Sequence, residues 1–236
     1  MKKGLLLALA MMLLLLWAVP GGAAADEGTA TVVCVGDSIT FGAGVTGKEN
    51  TYPYKLQALL GEGFTVKNCG ESGRTLQREG MLNPPDASFN CSMTYWDSRV
   101  MNNALKAEPD IVIIMLGTND AKTYNWNEEN YTRQYVELIS LFQSLDGKPE
   151  VFVMIPPPAF DAHEGVKPAE PIDREILAGL GSCVRAAAQT CGCTVIDLYS
   201  CFEGRGEFFP DGIHPNAEGN ALIAQQVYEA LSATHE

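Results

Sequence analysis

The stretch Asp110-Ile-Val-Ile-Ile-Met-Leu116 is apolar from its second residue to its last, with no polar residue in alternate places. A strand with one wet face alternates, whereas a strand covered on both faces does not. This run therefore demands material above and below its sheet. Four further short strand candidates accompany it, at residues 31–35, 64–68, 150–155 and 194–198. Longer amphipathic stretches separate or follow them, at 52–60, about 96–107, 128–145, 172–190 and 216–232. In the third of these, Tyr131, Tyr135, Leu138, Ile139 and Phe142 recur at helical spacing, so one face packs on something. Strand then helix, five times over, predicts an α/β fold: a parallel sheet with helices on both sides.

The first 25 residues stand apart from that pattern. Lys2 and Lys3 precede an uncharged, almost wholly apolar run at 4–19, and Ala23-Ala24-Ala25 lies ahead of Asp26. This is the layout of a secretory signal peptide cleaved after Ala25. The competing reading is a retained membrane anchor, but sixteen residues fall short of the roughly 18–20 that span a bilayer. Export implies an extracellular or cell-envelope protein with no stable membrane insertion after cleavage. Residues 26–236 then form one domain. Without Lys2 and Lys3 there are 14 basic against 29 acidic residues, a net charge of −15. Such a surface repels nucleic acid and anionic lipid, although acidity also serves plain solubility. All seven cysteines lie in this part, and an odd number cannot all pair within one chain. Cys34 sits among valines as a small core residue. Cys191-Gly-Cys193 lacks the C-x-x-C spacing of a zinc site, and no metal or cofactor is expected.

The chemistry gathers where strands end. The first strand runs into Gly36-Asp37-Ser38-Ile39-Thr40, and the second into Asn68-Cys-Gly-Glu-Ser-Gly73. The third runs into Gly117-Thr118-Asn119-Asp120, and Asp211-Gly-Ile-His214 follows the fifth. In parallel sheets the site lies off the carboxyl ends of the strands. Two long irregular stretches, 70–95 and 156–171, follow strands and belong at that edge too. A serine hydroxyl needs a base within hydrogen-bond reach before it can attack a carbonyl. Of three histidines, His235 is next to the chain end and His163 lies in an acidic loop, which leaves His214. Asp211, three residues earlier, suits the role of orienting its imidazole. The N–H groups of Ser38 and Gly73 and the amide of Asn119 suit an oxyanion hole. Each feature has a structural reading as well: a helix cap at Asp211 or Asn216, a turn at Gly73, a loop start at Asn119. A fixed Gly-Asp-Ser-Ile-Thr arises by chance about once in a million positions, so the set is hard to dismiss.

These four blocks resemble the SGNH hydrolases, also called the GDSL esterase/lipase family, whose letters match Ser38, Gly73, Asn119 and His214. The resemblance implies a flavodoxin-like three-layer α/β/α sandwich with a five-stranded parallel sheet in the order 2-1-3-4-5. It implies a serine nucleophile, a histidine base, and an oxyanion hole from the serine, glycine and asparagine. The nucleophile elbow Gly-x-Ser-x-Gly of the α/β-hydrolases is absent around Ser38. The stretches Tyr52-Pro-Tyr54, 119–126 and Phe208-Phe-Pro-Asp211 look similar to exported bacterial sialate or carbohydrate O-acetylesterases.

That subgroup implies a short acyl group, acetyl foremost, on a glycan or small-molecule ester. Arg74, Tyr124 and Trp126 are candidate substrate-binding residues, with Tyr95, Trp96 and Phe160 as further aromatics on nearby loops. Each aromatic has an equal claim to closing the helix layer. Two other readings stay open: a lysophospholipase or thioesterase of broad acyl range, and a sugar-binding module without turnover.

Overall fold

A computed structural model describes residues 29–234. The expected signal peptide at 1–25 and His235 lie outside the described residues. The strands are β1 (Ala30–Gly36), β2 (Phe64–Gly70), β3 (Ile111–Met115), β4 (Glu150–Ile155) and β5 (Thr194–Asp197). The helices are α1 (Ser38–Phe41), α2 (Tyr52–Leu60), α3 (Arg99–Leu105), α4 (Glu128–Gln143), α5 (Arg174–Cys191), α6 (Leu198–Phe202) and α7 (Ala217–Thr234). The sheet order is β2-β1-β3-β4-β5, and every neighbouring pair is parallel.

The unbroken apolar runs divide between two cores. Val33 and Val35 of β1, Val112 and Ile114 of β3, and Val151 and Val153 of β4 face one cluster. That cluster is completed by α3, α4 and α5 through Met101, Tyr135, Leu138 and Leu180. The alternate residues Val32, Cys34, Ile113, Met115, Phe152 and Met154 face the other, filled by α2, α6 and α7. Period two along each strand thus sends side chains to both layers, which is why no position could be polar. Helix α4 follows the predicted stripe: Tyr131, Tyr135, Leu138, Ile139 and Phe142 are all fully buried. The two tyrosine hydroxyls donate to the carbonyls of Leu116 and Ile114, so the buried polar tips are satisfied. Asn127 caps α4 by accepting from the N–H of Asn130.

Several boundaries differ from the sequence reading. The predicted helix at 96–107 begins only at Arg99, because Ser98 accepts from the N–H of Met101 as its cap. The fifth strand stops at Asp197, which accepts from the N–H of Ser200 and starts α6. The four-residue α1 went unforeseen, since one turn has no period to detect. Among the described residues no helix is long and apolar enough to cross a membrane. The seven cysteines are all unpaired.

Candidate active site

The fold brings three strand ends to one edge. At the end of β1, Asp37 accepts from the N–H of Ile39 at 3.0 Å and caps α1, so Ser38 begins a helical turn instead of extending the strand. At the last helix, Asn216 accepts from the N–H groups of Glu218 and Gly219, which fixes the start of α7 just beyond His214. His214 then spans 176 residues of sequence to reach Ser38.

His214 Nε2 lies 2.9 Å from Ser38 Oγ, and His214 Nδ1 lies 2.7 Å from Asp211 Oδ2. An ionised carboxylate only accepts, so Nδ1 carries the proton and Nε2 is left to accept from the serine hydroxyl. The second oxygen, Asp211 Oδ1, accepts from the N–H groups of Ile213 at 3.0 Å and His214 at 2.8 Å. Burial pushes this carboxyl up, but the hydrogen bonds from the His214 backbone and ring and from Ile213 outweigh it and hold it below the ordinary value. Gly44 permits the approach on the other side. It has φ +91°, and a Cβ there would sit 2.8 Å from His214 Cβ.

Asn119 follows β3. Its Nδ2 donates to the carbonyl of Arg74 at 3.1 Å and makes a long contact of 3.5 Å to Asp37 Oδ2. The first bond orients the amide. The second N–H has only the long contact. Gly73 sits at φ +79°, and a Cβ there would meet the Met93 methyl at 2.6 Å. Among the described residues, the N–H groups of Ser38 and Gly73 have no protein acceptor. Two buried acids brace this arrangement. Asp120 accepts from the N–H groups of Leu76 at 2.9 Å and Gln77 at 2.8 Å, tying the Gly73 loop to the turn after β3. Burial pushes Asp37 and Asp120 up to about 6 each, against hydrogen bonds that favour ionisation.

A cavity of about 360 Å³ opens over these groups and is lined by Ser38, Gly73, Asn119, Asp211 and His214. Its remaining wall includes Met81, Leu82 and Met93 from the loop after β2, and Lys122, Glu170 and Ile172. A larger depression of about 530 Å³, beside Phe41 and Tyr54, contains none of the groups above.

The three expected substrate-binding residues are not in the cavity wall. The Arg74 guanidinium pairs with Glu71 and donates to Thr94 O, and only its backbone carbonyl serves Asn119. Tyr124 donates to Leu82 O at 2.8 Å. Trp126 packs on Tyr131 with ring centroids 5.2 Å apart. Tyr95 is fully buried, Trp96 stacks beneath Arg78, and Phe160 packs on Phe209. His163 instead meets Gly206 O at 3.0 Å. Conversely, Lys122, Glu170 and the apolar residues of the wall went unnoticed in the sequence. They come from loops without periodicity, and only the closed fold joins them.

The GDSL-like lipase/acylhydrolase family profile matches residues 34–222. An acetylxylan esterase of Xylanibacter ruminicola is 33% identical over 228 residues, covering 88% of this chain and 44% of that relative. The chain thus spans less than half the length of the curated relative it matches. Among solved structures, a carbohydrate acetylesterase family member from Sinorhizobium meliloti is 25% identical, with a TM-score of 0.67 over 87% of this chain and 98% of its own. The acetylxylan esterase Axe2 from Geobacillus stearothermophilus shares the fold at 20% identity, with a TM-score of 0.63 over 88% and 96% of the two chains. With the family profile spanning most of the sequence, and Ser38, Gly73, Asn119 and His214 gathered at one cavity, the chain belongs to the GDSL-like lipase/acylhydrolase family.

Proposed function

We propose that this protein is a serine esterase that removes short acyl groups, acetyl above all, from a carbohydrate through an acyl-enzyme. The observation that carries the reading is the continuous relay from Ser38 Oγ to His214 Nε2 at 2.9 Å and from His214 Nδ1 to Asp211 Oδ2 at 2.7 Å. Ser38 Oγ attacks the ester carbonyl carbon while its proton passes to His214 Nε2. The charge that builds on the carbonyl oxygen meets the N–H groups of Ser38 and Gly73 and the Asn119 amide. His214 returns the proton to the departing sugar oxygen as the C–O bond breaks, leaving the acyl group on Ser38. Water, deprotonated by the same imidazole, then attacks the acyl carbon, and the acid and free serine are released. Asp211 holds the imidazole tautomer and stabilises its charged form; it keeps its own charge throughout.

The acetylesterase reading is supported by the named relatives and by a cavity of modest size with polar groups on its wall. Export is a separate part of the proposal and rests on the basic start, apolar run and small-residue site of residues 1–25. The test compares acetate release from acetylated oligosaccharide with fatty-acid release from lysophospholipid, as kcat/KM at one pH and salt. Acetate release should dominate. Preference for the lipid would overturn the substrate and leave the serine mechanism standing. A mature N-terminus other than Asp26 on secreted protein would count against the cleavage site.

A further inference from the structure

One ion pair in the cavity wall has no part in the relay. Lys122 lies three residues past Asn119, and its side chain is only 9% exposed. Its ammonium donates to Glu170 Oε2 at 2.5 Å. Glu170 comes from the segment between β4 and α5, and its side chain is 67% exposed. Both line the same cavity as Ser38 and His214. Taking an ammonium out of water costs several kcal/mol, and an exposed carboxylate partner returns little of that. An ammonium has three N–H donors, and among the described residues this one has a single acceptor, Glu170. Donor capacity thus stands unused at Lys122 on the cavity wall.

We propose that the Lys122–Glu170 pair recognises the alcohol half of the substrate, and that it selects a neutral acetylated sugar with a free hydroxyl next to the ester oxygen. This inference rests on the esterase reading above and adds the feature of the sugar that is read. The pair offers donors at Lys122 and acceptors at Glu170 a short distance apart. A hydroxyl both donates and accepts, so a hydroxyl beside the ester oxygen can engage both groups. A substrate carboxylate cannot: it would face Glu170 and a chain of net charge −13. A plain alkyl alcohol would cover both groups without satisfying either, which is the costly case for a site built on hydrogen bonds.

The test uses the whole chain and three acetyl esters: a methyl glycoside monoacetate with its adjacent hydroxyl free, the same compound with that hydroxyl O-methylated, and p-nitrophenyl acetate. The wild type should prefer the free-hydroxyl compound over the O-methylated one by about tenfold or more in kcat/KM, since unpaired polar groups penalise the analogue. In Glu170→Ala and Lys122→Met that ratio should fall toward one. Glu170 is exposed, so the alanine variant carries the result even if Lys122→Met folds poorly. A wild-type ratio near one, or a ratio kept in the Glu170→Ala variant, would overturn the inference while p-nitrophenyl acetate turnover keeps the esterase reading intact. No turnover of any of the three esters by the wild type would overturn both.

Discussion

Two kinds of loop meet at the cavity, and they are held differently. The turn after β1 and the first residues after β3 are buried. Asp37 and Asp120 are wholly inaccessible, and Ser38 and Thr118 nearly so. Their course is dictated by strands that are themselves sealed on both faces. The long segments after β2 and β4 have no such support. They are held by side-chain ties, such as Asn125 Oδ1 to the Met81 N–H, Tyr124 to Leu82 O, and Lys122 to Glu170. Ser38 and Asn119 thus follow sheet strands directly, and most of the cavity wall sits on ties between loops. The first should be intolerant of change, and the second open to it.

The largest effect should come from the sheet side. Ser38→Ala should lower kcat by about 10⁴-fold or more, because removing a relay member disables the whole unit. Its melting temperature should stay near that of the wild type, since one hydroxyl contributes little packing. A serine-directed fluorophosphonate should label Ser38 and not the variant. Retained turnover in the variant would remove Ser38 from the mechanism. Next, Asn119→Ala should cost about 10²–10³ in kcat, or ~3–4 kcal/mol, with KM little changed, because the oxyanion exists only beyond the ground state. A pure KM defect would move Asn119 from the sheet-borne chemistry to the substrate wall.

The same division governs what could be read from the sequence. Strands β1, β3 and β4 and the α4 stripe were legible because a strand buried on both faces leaves an apolar run and a packed helix leaves a period. Ser38, Gly73, Asn119 and His214 were legible because each follows a strand or precedes a helix whose place the sheet fixes. Arg74, Tyr124 and Trp126 are engaged in contacts within the protein. Loop aromatics and arginines have many competing partners, and here Glu71, Leu82 O and Tyr131 won. Lys122 and Glu170 lie 48 residues apart, and nothing local in either loop announces the pair.

The acids provide a subtler break between regions. Burial raises Asp37 and Asp120 to about 6 in the folded chain, from an ordinary value of 3.8. Between about pH 4 and pH 6 the folded state therefore binds more protons than the unfolded one. By linkage, their contribution to stability falls as pH rises through that window, by up to about 3 kcal/mol per carboxyl. Asp211 runs the other way. Its folded value is depressed, so its contribution is present above the unfolded value and is lost as pH falls through the lower folded one. Denaturant melts at pH 4, 5, 6 and 7 should show the buried acids' slope, and Asp120→Asn should flatten it. An unchanged slope in that variant would mean that Asp120 stays ionised across the window.

The smallest effect should come from the wall. Tyr124→Phe removes one hydrogen bond, from the tyrosine hydroxyl to Leu82 O at 2.8 Å. A typical net contribution is about 1 kcal/mol. Tyr124 is half-buried, so water can reach the freed carbonyl and reduce the penalty. Leu82 lines the cavity and Tyr124 does not, so any effect on turnover must pass through the position of the loop after β2. A looser wall should weaken substrate binding more than it slows bond breaking, because Ser38, Asn119 and His214 are positioned by other elements. The expected result is a rise in KM of about fivefold or less, consistent with about 1 kcal/mol, and a kcat within about twofold of wild type. Steady-state kinetics on one acetylated sugar decides it. A fall in kcat of tenfold or more would show that the loop ties also position the chemical groups, and the division between sheet-held and tie-held loops would fail.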